Sequence, residues 1–170
     1  MSKTITPFTA QLVTFETTLP YSEVVARLEA EVNKQGSAQI ISQLRGSKSR
    51  AEIDHVVKTI TGAKDFLYFM EISHDKWLDV YEGVEHPKTT NYLIGNPLVA
   101  QTILKHDLHA ALNIPPRLLI TEKSDHSGTS VMYHLPSSVM VLTDNSGLRA
   151  AVEALDVKLD SLISRITATN

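Results

Sequence analysis

Cysteine is absent from the 170 residues. Its absence excludes disulfides, zinc-thiolate and iron–sulfur centres and a thiol nucleophile, and it agrees with a compartment where disulfides are not used. An excess of positive charge is also missing: 16 Lys and Arg stand against 19 Asp and Glu, for a formal net charge of -3. A phosphate backbone needs a basic footprint, so nucleic acid is not an expected partner. Long apolar runs are lacking too. Val139-Met140-Val141-Leu142 falls far short of the ~20 residues of a membrane span, and Met1 to Pro7 has no apolar signal core. The expectation is a cytoplasmic protein without a membrane partner. An apolar share of 42% with 21% charged residues excludes wholesale disorder, and residues 1–170 are expected to form a single domain.

The pattern along the chain alternates strands and helices. Val13 and Phe15 at a period of two predict a strand over Gln11 to Leu19, stopped by Pro20. Ser22 is placed to cap a helix carrying Val25, Leu28 and Val32, which Gly36 can close. Ala38 to Lys48 reads as mostly irregular. Ser49-Arg50-Ala51-Glu52 has capping-box spacing ahead of the stripe Ile53, Val56, Val57, Ile60, with Gly62 as the stop. The aromatic run Phe66 to Ile72 predicts a central strand, and Trp77 to Tyr81 and Thr90 to Ile94 predict strands beside it.

Pro97 suits a first helical turn, and the helix is expected to reach about Ala111. Arg117 to Lys123 and Thr129 to Leu135 flank the turn Ser124-Asp125-His126-Ser127-Gly128, which predicts a hairpin with Leu118 and Ile120 on one face. Leu148, Val152, Leu155, Leu159, Leu162 and Ile166 recur at helical spacing and predict a long helix that covers the core. Antiparallel strands with helices collected on one face make an α+β domain.

Asn91-Tyr92-Leu93-Ile94-Gly95-Asn96-Pro97-Leu98-Val99-Ala100 resembles the domain-of-unknown-function family 302. A helix with Leu104 and Asp107, the turn Ile114-Pro115-Pro116, a strand ending in Glu122 and a strand beginning near Thr129 follow in that family's order. The resemblance is densest over Tyr92 to Leu135. The longer middle, with His74 and Trp77, is similar to an extended variant bearing a His-x-x-Trp element. Membership implies a curved antiparallel sheet backed by about four helices, of the TATA-binding-protein type, commonly as a homodimer, and no established reaction. Asn96, Pro97, Asp107, Pro115 and Glu122 carry across by position. Gly95 and Pro116 stand where other members have cysteines, which argues against a thiol role here.

The richest motif is Lys105-His106-Asp107-Leu108-His109. On a helix His106 and His109 lie about 60° apart around the axis and can converge on one ligand. Zinc would need a third protein ligand, from His74, Glu71 or Glu122. The alternative has Asp107 and His109 capping or solvating a helix end, with no metal bound. His106 falls in the stripe of Val99, Ile103 and Ala110, either as a satisfied core histidine or as the polar floor of a pocket. Glu71, His74 and Trp77 line either a pocket mouth or a turn with one packed indole. Asn96 before Pro97 is either a helix cap or part of an anion site.

Three functions follow. The first is a small-molecule binding domain with a pocket between sheet and helices, taking an apolar or anionic molecule with contacts from Asn96, Trp77, Tyr133, Arg117 and His106. The second is a cofactor-independent or single-metal enzyme in which His106 or His74 moves a proton and Glu71 or Asp107 orients it. The third is a structural homodimer without a ligand. The sequence specifies no cofactor.

Overall fold

The computed structural model describes residues 1–169. In chain order the elements are β1 (Leu12–Thr17), α1 (Tyr21–Glu31), α2 (Lys34–Ser37), α3 (Ile40–Gly46), α4 (Arg50–Thr61), β2 (Leu67–Ser73) and α5 (His74–Glu82). They continue with β3 (Thr89–Gly95), α6 (Pro97–Leu104), a 3-10 turn (Leu108–Asn113), β4 (Arg117–Glu122), β5 (Thr129–His134), α7 (Pro136–Met140) and α8 (Ser146–Thr167). The five strands make one open antiparallel sheet in the order β1-β5-β4-β3-β2. No helix among the described residues is long and apolar enough to cross a membrane.

Side chains on a strand alternate between faces. Tyr92, Ile94, Leu118, Ile120, Val131 and Tyr133 point to one face and are at most 3% exposed. Against them lie Val24 and Leu28 of α1 and the whole predicted stripe of α8, Leu148 through Ile166. Each such side chain contributes about 1.5–3 kcal/mol by leaving water, so this layer holds α1 and α8 to the sheet. The α+β class with helices packed on a sheet is as expected. The opposite face carries Leu12, Thr14, Met132, Leu119, Asn91 and Leu93, strand partners in turn, and Met70 and Ile72 beyond them remain exposed.

Local chemistry explains most element ends. Ser49 Oγ accepts from Glu52 N–H at 3.2 Å, and the Glu52 carboxylate accepts in return from Lys48 N–H at 2.7 Å, so the predicted capping box forms one residue wider than its standard form. Asn96 caps α6 by accepting from Leu98 N–H, with Pro97 in the first turn.

Several expectations are corrected. Ser22 does not cap α1, which begins at Tyr21 after Pro20. That helix ends at Glu31, where Asn33 takes a left-handed φ of 46°, so Gly36 is not its stop. Ala38 to Lys48 is largely helical, with Ile40 and Leu44 one turn apart on the packed side of α3. The Phe66 to Ile72 run forms an edge strand, not a central one. Its outer backbone is shielded because Tyr68 N–H donates to Val32 O at 3.1 Å, and a bulge between Tyr68 and Met70 breaks the ladder.

Trp77 to Tyr81 lies in a helix, not a strand. Gly83 at φ 71° closes α5 with its N–H on Asp79 O, a stop signal that outweighs the aromatic composition. The helix from Pro97 ends at Leu104. Asp107 adopts an extended backbone and accepts from His109 N–H at 2.8 Å, starting the 3-10 turn and preventing continuation to Ala111.

Candidate functional site

The end of the sheet where β3 runs into α6 holds a hollow of about 260 Å³. Leu44 of α3, Phe69 at the β2 bulge, Val99, Ala100 and Ile103 of α6 and Leu155 of α8 form its walls. Gly95-Asn96 and the Ile114-Pro115-Pro116 turn, which contains a cis peptide before Pro115, complete it. Proximity is imposed by the backbone: a Cβ on Gly95 would lie 3.2 Å from Pro115 Cβ and 3.4 Å from a Phe69 ring carbon. Both polar atoms of the Asn96 side chain already have a partner, Oδ1 accepting from Leu98 N–H and Nδ2 donating to Asp65 O at 3.0 Å. A wall of this kind recognises shape and apolar surface, and has nothing with which to move a proton.

The histidines expected nearby are elsewhere. Because α6 stops early, His106 leaves the Val99 and Ile103 stripe and is exposed, its ring against Gly147 at the start of α8. It is neither core nor pocket floor. The side chain of His109 is 99% exposed and its Nδ1 lies 2.9 Å from Asp107 Oδ1, so both belong to the cap. The cap's backbone hydrogen bond from His109 holds the Asp107 carboxyl below its usual range. Among the described residues no group of three or more His, Asp or Glu is arranged to hold a metal ion.

Glu71, His74 and Trp77 are divided between the two faces of the sheet. His74 Nε2 lies 3.1 Å from Asn91 Nδ2, and the amide donates, on the outer face. Trp77 stands edge-on to that ring at 6.4 Å and is 53% exposed, so it is neither packed nor a pocket wall. Glu71 lies across the sheet, opposite Tyr92. There Lys34 Nζ bridges Glu71 and Glu29 at 2.7 Å each, above the rings of Tyr68 and Tyr92 at 5.4 and 6.0 Å. Partial burial works against the ammonium, but the two carboxylates outweigh it and raise the Lys34 pKa. Tyr92 Oη donates to Glu29 at 3.4 Å and Tyr21 Oη to Thr90 at 2.7 Å. The network ties α1 and α2 to the edge strand.

Tyr133 is buried on the core face, its ring 6.5 Å from that of Phe15. Burial, then the charges of Asp160 and Asp156, push its hydroxyl up to about 12. Arg117 is exposed on the other face, beside a groove of about 500 Å³. Glu122 accepts from the Lys88 N–H and pairs with His126 across the β4–β5 turn. Of the expected ligand contacts, Asn96 lines the apolar hollow and Arg117 and the Tyr133 backbone region border the outer groove. Sequence reasoning missed Leu44, Phe69 and Leu155 as walls, although Ile40 and Leu44 at i, i+4 were a readable sign of α3.

The profile of a domain of unknown function, DUF302, matches residues 43–166. The crystal structure of an uncharacterized conserved DUF302 protein from Bacillus stearothermophilus superposes with a TM-score of 0.63 at 14% identity, covering 91% of this chain and 97% of that one. No curated protein matches the chain.

Proposed function

The chain belongs to the DUF302 family, and because that description names no reaction we propose a function from the cavity: the protein binds a small, neutral, apolar molecule between α3, α6, α8 and the Pro115–Pro116 turn. The observation that carries this reading is the composition of the wall. Leu44, Phe69, Val99, Ile103 and Leu155 line a half-open volume of about 260 Å³, and no charged residue among those described borders it. A cavity of ~150 Å³ lined by Leu, Ile and Phe stays dry and admits benzene. The larger space here suits a one- or two-ring hydrocarbon or heteroaromatic. An anion is disfavoured, because no cationic side chain among the described residues lines the hollow and a buried unpaired charge is costly.

Thermal unfolding with benzene, indole and naphthalene tests the proposal. Ligand at a hundred times Kd stabilises a one-site protein by about 2.7 kcal/mol, so Tm rises with concentration for the ligand that fits. Ala100→Leu fills the hollow from a helix position that tolerates leucine and abolishes the rise. No rise with any of the three, or an equal rise in Ala100→Leu, overturns the reading.

A further inference from the structure

Arg117 projects from the start of β4 on the face away from the core, opposite Leu93. Arg27, Arg149 and Arg165 each reach a carboxylate, whereas the Arg117 side chain, like those of Arg45 and Arg50, has no hydrogen bond or ion pair among the described residues; of these three, Arg117 borders the groove. Extending the Leu119↔Met132 register along β5 sets His134 next to it. His134 is likewise exposed and unpaired among the described residues. Between these donors and the 3-10 turn lies the 500 Å³ groove, floored by Leu119 and Met132 and walled by Leu12, Leu112 and Pro115–Pro116. Leu12 and Leu112 are 61% and 86% exposed. The carboxylate on the same face of β1, Glu16, lies at the far end and is already held by Lys123 at 2.8 Å and Ser130 at 2.7 Å.

We propose that this groove is a binding site for an organic monocarboxylate with an apolar body, its carboxylate forked on the Arg117 guanidinium beside His134 and its body laid on Leu119 and Met132. A guanidinium matches a carboxylate through two parallel N–H donors, which a single charge satisfies. A phosphate dianion asks for more donors than one arginine and one imidazole supply. The apolar floor supplies the remaining binding free energy and selects a ligand with a hydrocarbon part over a bare anion. The site is separate from the neutral hollow, which lies on the helix side of the same Pro115–Pro116 turn.

The test is a ¹H–¹⁵N NMR titration with 4-phenylbutyrate, its neutral analogue 4-phenylbutyramide and inorganic phosphate. The carboxylate gives saturable shifts clustered at residues 117–119 and 132–134, the amide binds about tenfold more weakly or worse, and phosphate gives none. Because the Arg117 side chain is exposed and unpaired among the described residues, Arg117→Gln leaves the spectrum otherwise unchanged while weakening phenylbutyrate about tenfold or more, and Arg117→Lys falls between the two. Equal binding of acid and amide, equal binding of phosphate, or indifference to Arg117→Gln overturns the proposal. So does light scattering that shows a dimer whose formation protects this face, since a second copy would then be the occupant.

Discussion

A methyl group placed on Gly147 would stand 2.6 Å from Cε1 and 2.8 Å from Nδ1 of His106, so the imidazole rests directly on the first turn of α8. Asn145, which caps that helix by accepting from Leu148 N–H, also donates to His106 O at 3.5 Å. His106 therefore joins the end of α6 to the start of α8.

This contact sets the result of a double-mutant cycle. Gly147→Ala gains helix propensity, but in the parent it displaces the His106 ring, which is exposed and able to swing aside. In a His106→Ala background nothing is displaced, and the same substitution should stabilise by about 0.5 kcal/mol more than in the parent. Urea unfolding of the four proteins measures the difference. Strict additivity would mean that ring and helix do not touch.

His86 should show a pH-dependent hold on the segment between α5 and β3. Its Nδ1 lies 2.9 Å from Asp79 Oδ1 and its Nε2 3.2 Å from Glu82 Oε2. The Asp79 hydrogen bond, against slight desolvation and with help from Glu82, raises the imidazole pKa above 6.5. The His86 bonds in turn lower Asp79 below 3.8. A raised histidine contributes stability that is full below its unfolded pKa and is lost as pH climbs through the folded value. A lowered aspartate contributes stability present above its unfolded pKa and lost as pH falls through its folded value. The pair is therefore strongest between the two unfolded values. Titration of the imidazole Cε1–H resonances should place His86 above the ordinary histidine value, and Asp79→Asn should move it down.

The amphipathic elements were legible because burial acts on period: the α8 stripe, Val13 and Phe15, and Leu118 and Ile120 all face the core as their spacing requires. Local capping was legible at Ser49 and Asn96 for the same reason that it is strong, being a side chain bonding its own turn. Trp77 to Tyr81 misled because aromatic composition suits a strand, while the stop at Gly83 and the buried Asp75, which accepts from Thr89 N–H at 3.0 Å, belong to a helix. The apolar hollow was hardest to foresee. Leu44, Phe69, Pro115 and Leu155 are brought together by tertiary packing across 110 intervening positions, and each alone reads as an ordinary core residue.

The β4–β5 turn depends on one residue without a side chain. Gly128 has φ 149°, and a Cβ there would lie 2.0 Å from Thr17 O and 2.9 Å from Thr18 Cα. The obstruction is backbone, which cannot rotate away, so β1 must separate from the hairpin. Gly128→Ala should destabilise by about 3 kcal/mol or more, with faster hydrogen exchange in β1. Gly46→Ala is the control: a Cβ there meets nothing within 4 Å, and the helix end should gain up to about 1 kcal/mol. Equal effects of the two substitutions would contradict the geometry at Thr17.

At high pH the buried phenols should limit stability. Burial comes first for both Tyr92 and Tyr133. The charges of Glu71, Tyr21 and Glu29 add to it at Tyr92, and those of Asp160 and Asp156 at Tyr133, raising both hydroxyls well above 10.0. An acid whose folded pKa is raised keeps its proton in the folded state while the unfolded chain has already released it. Folded protein then binds more protons than unfolded, and stability falls as pH rises. For Tyr133 the loss begins near the unfolded value of about 10 and continues to about 12, where the folded hydroxyl itself ionises. Tyr133→Phe removes this linkage but keeps the ring against Phe15. The variant should therefore unfold at higher pH than the parent when circular dichroism is followed through an alkaline titration, whereas an unchanged midpoint would show that the Tyr133 hydroxyl keeps its ordinary pKa in the folded protein.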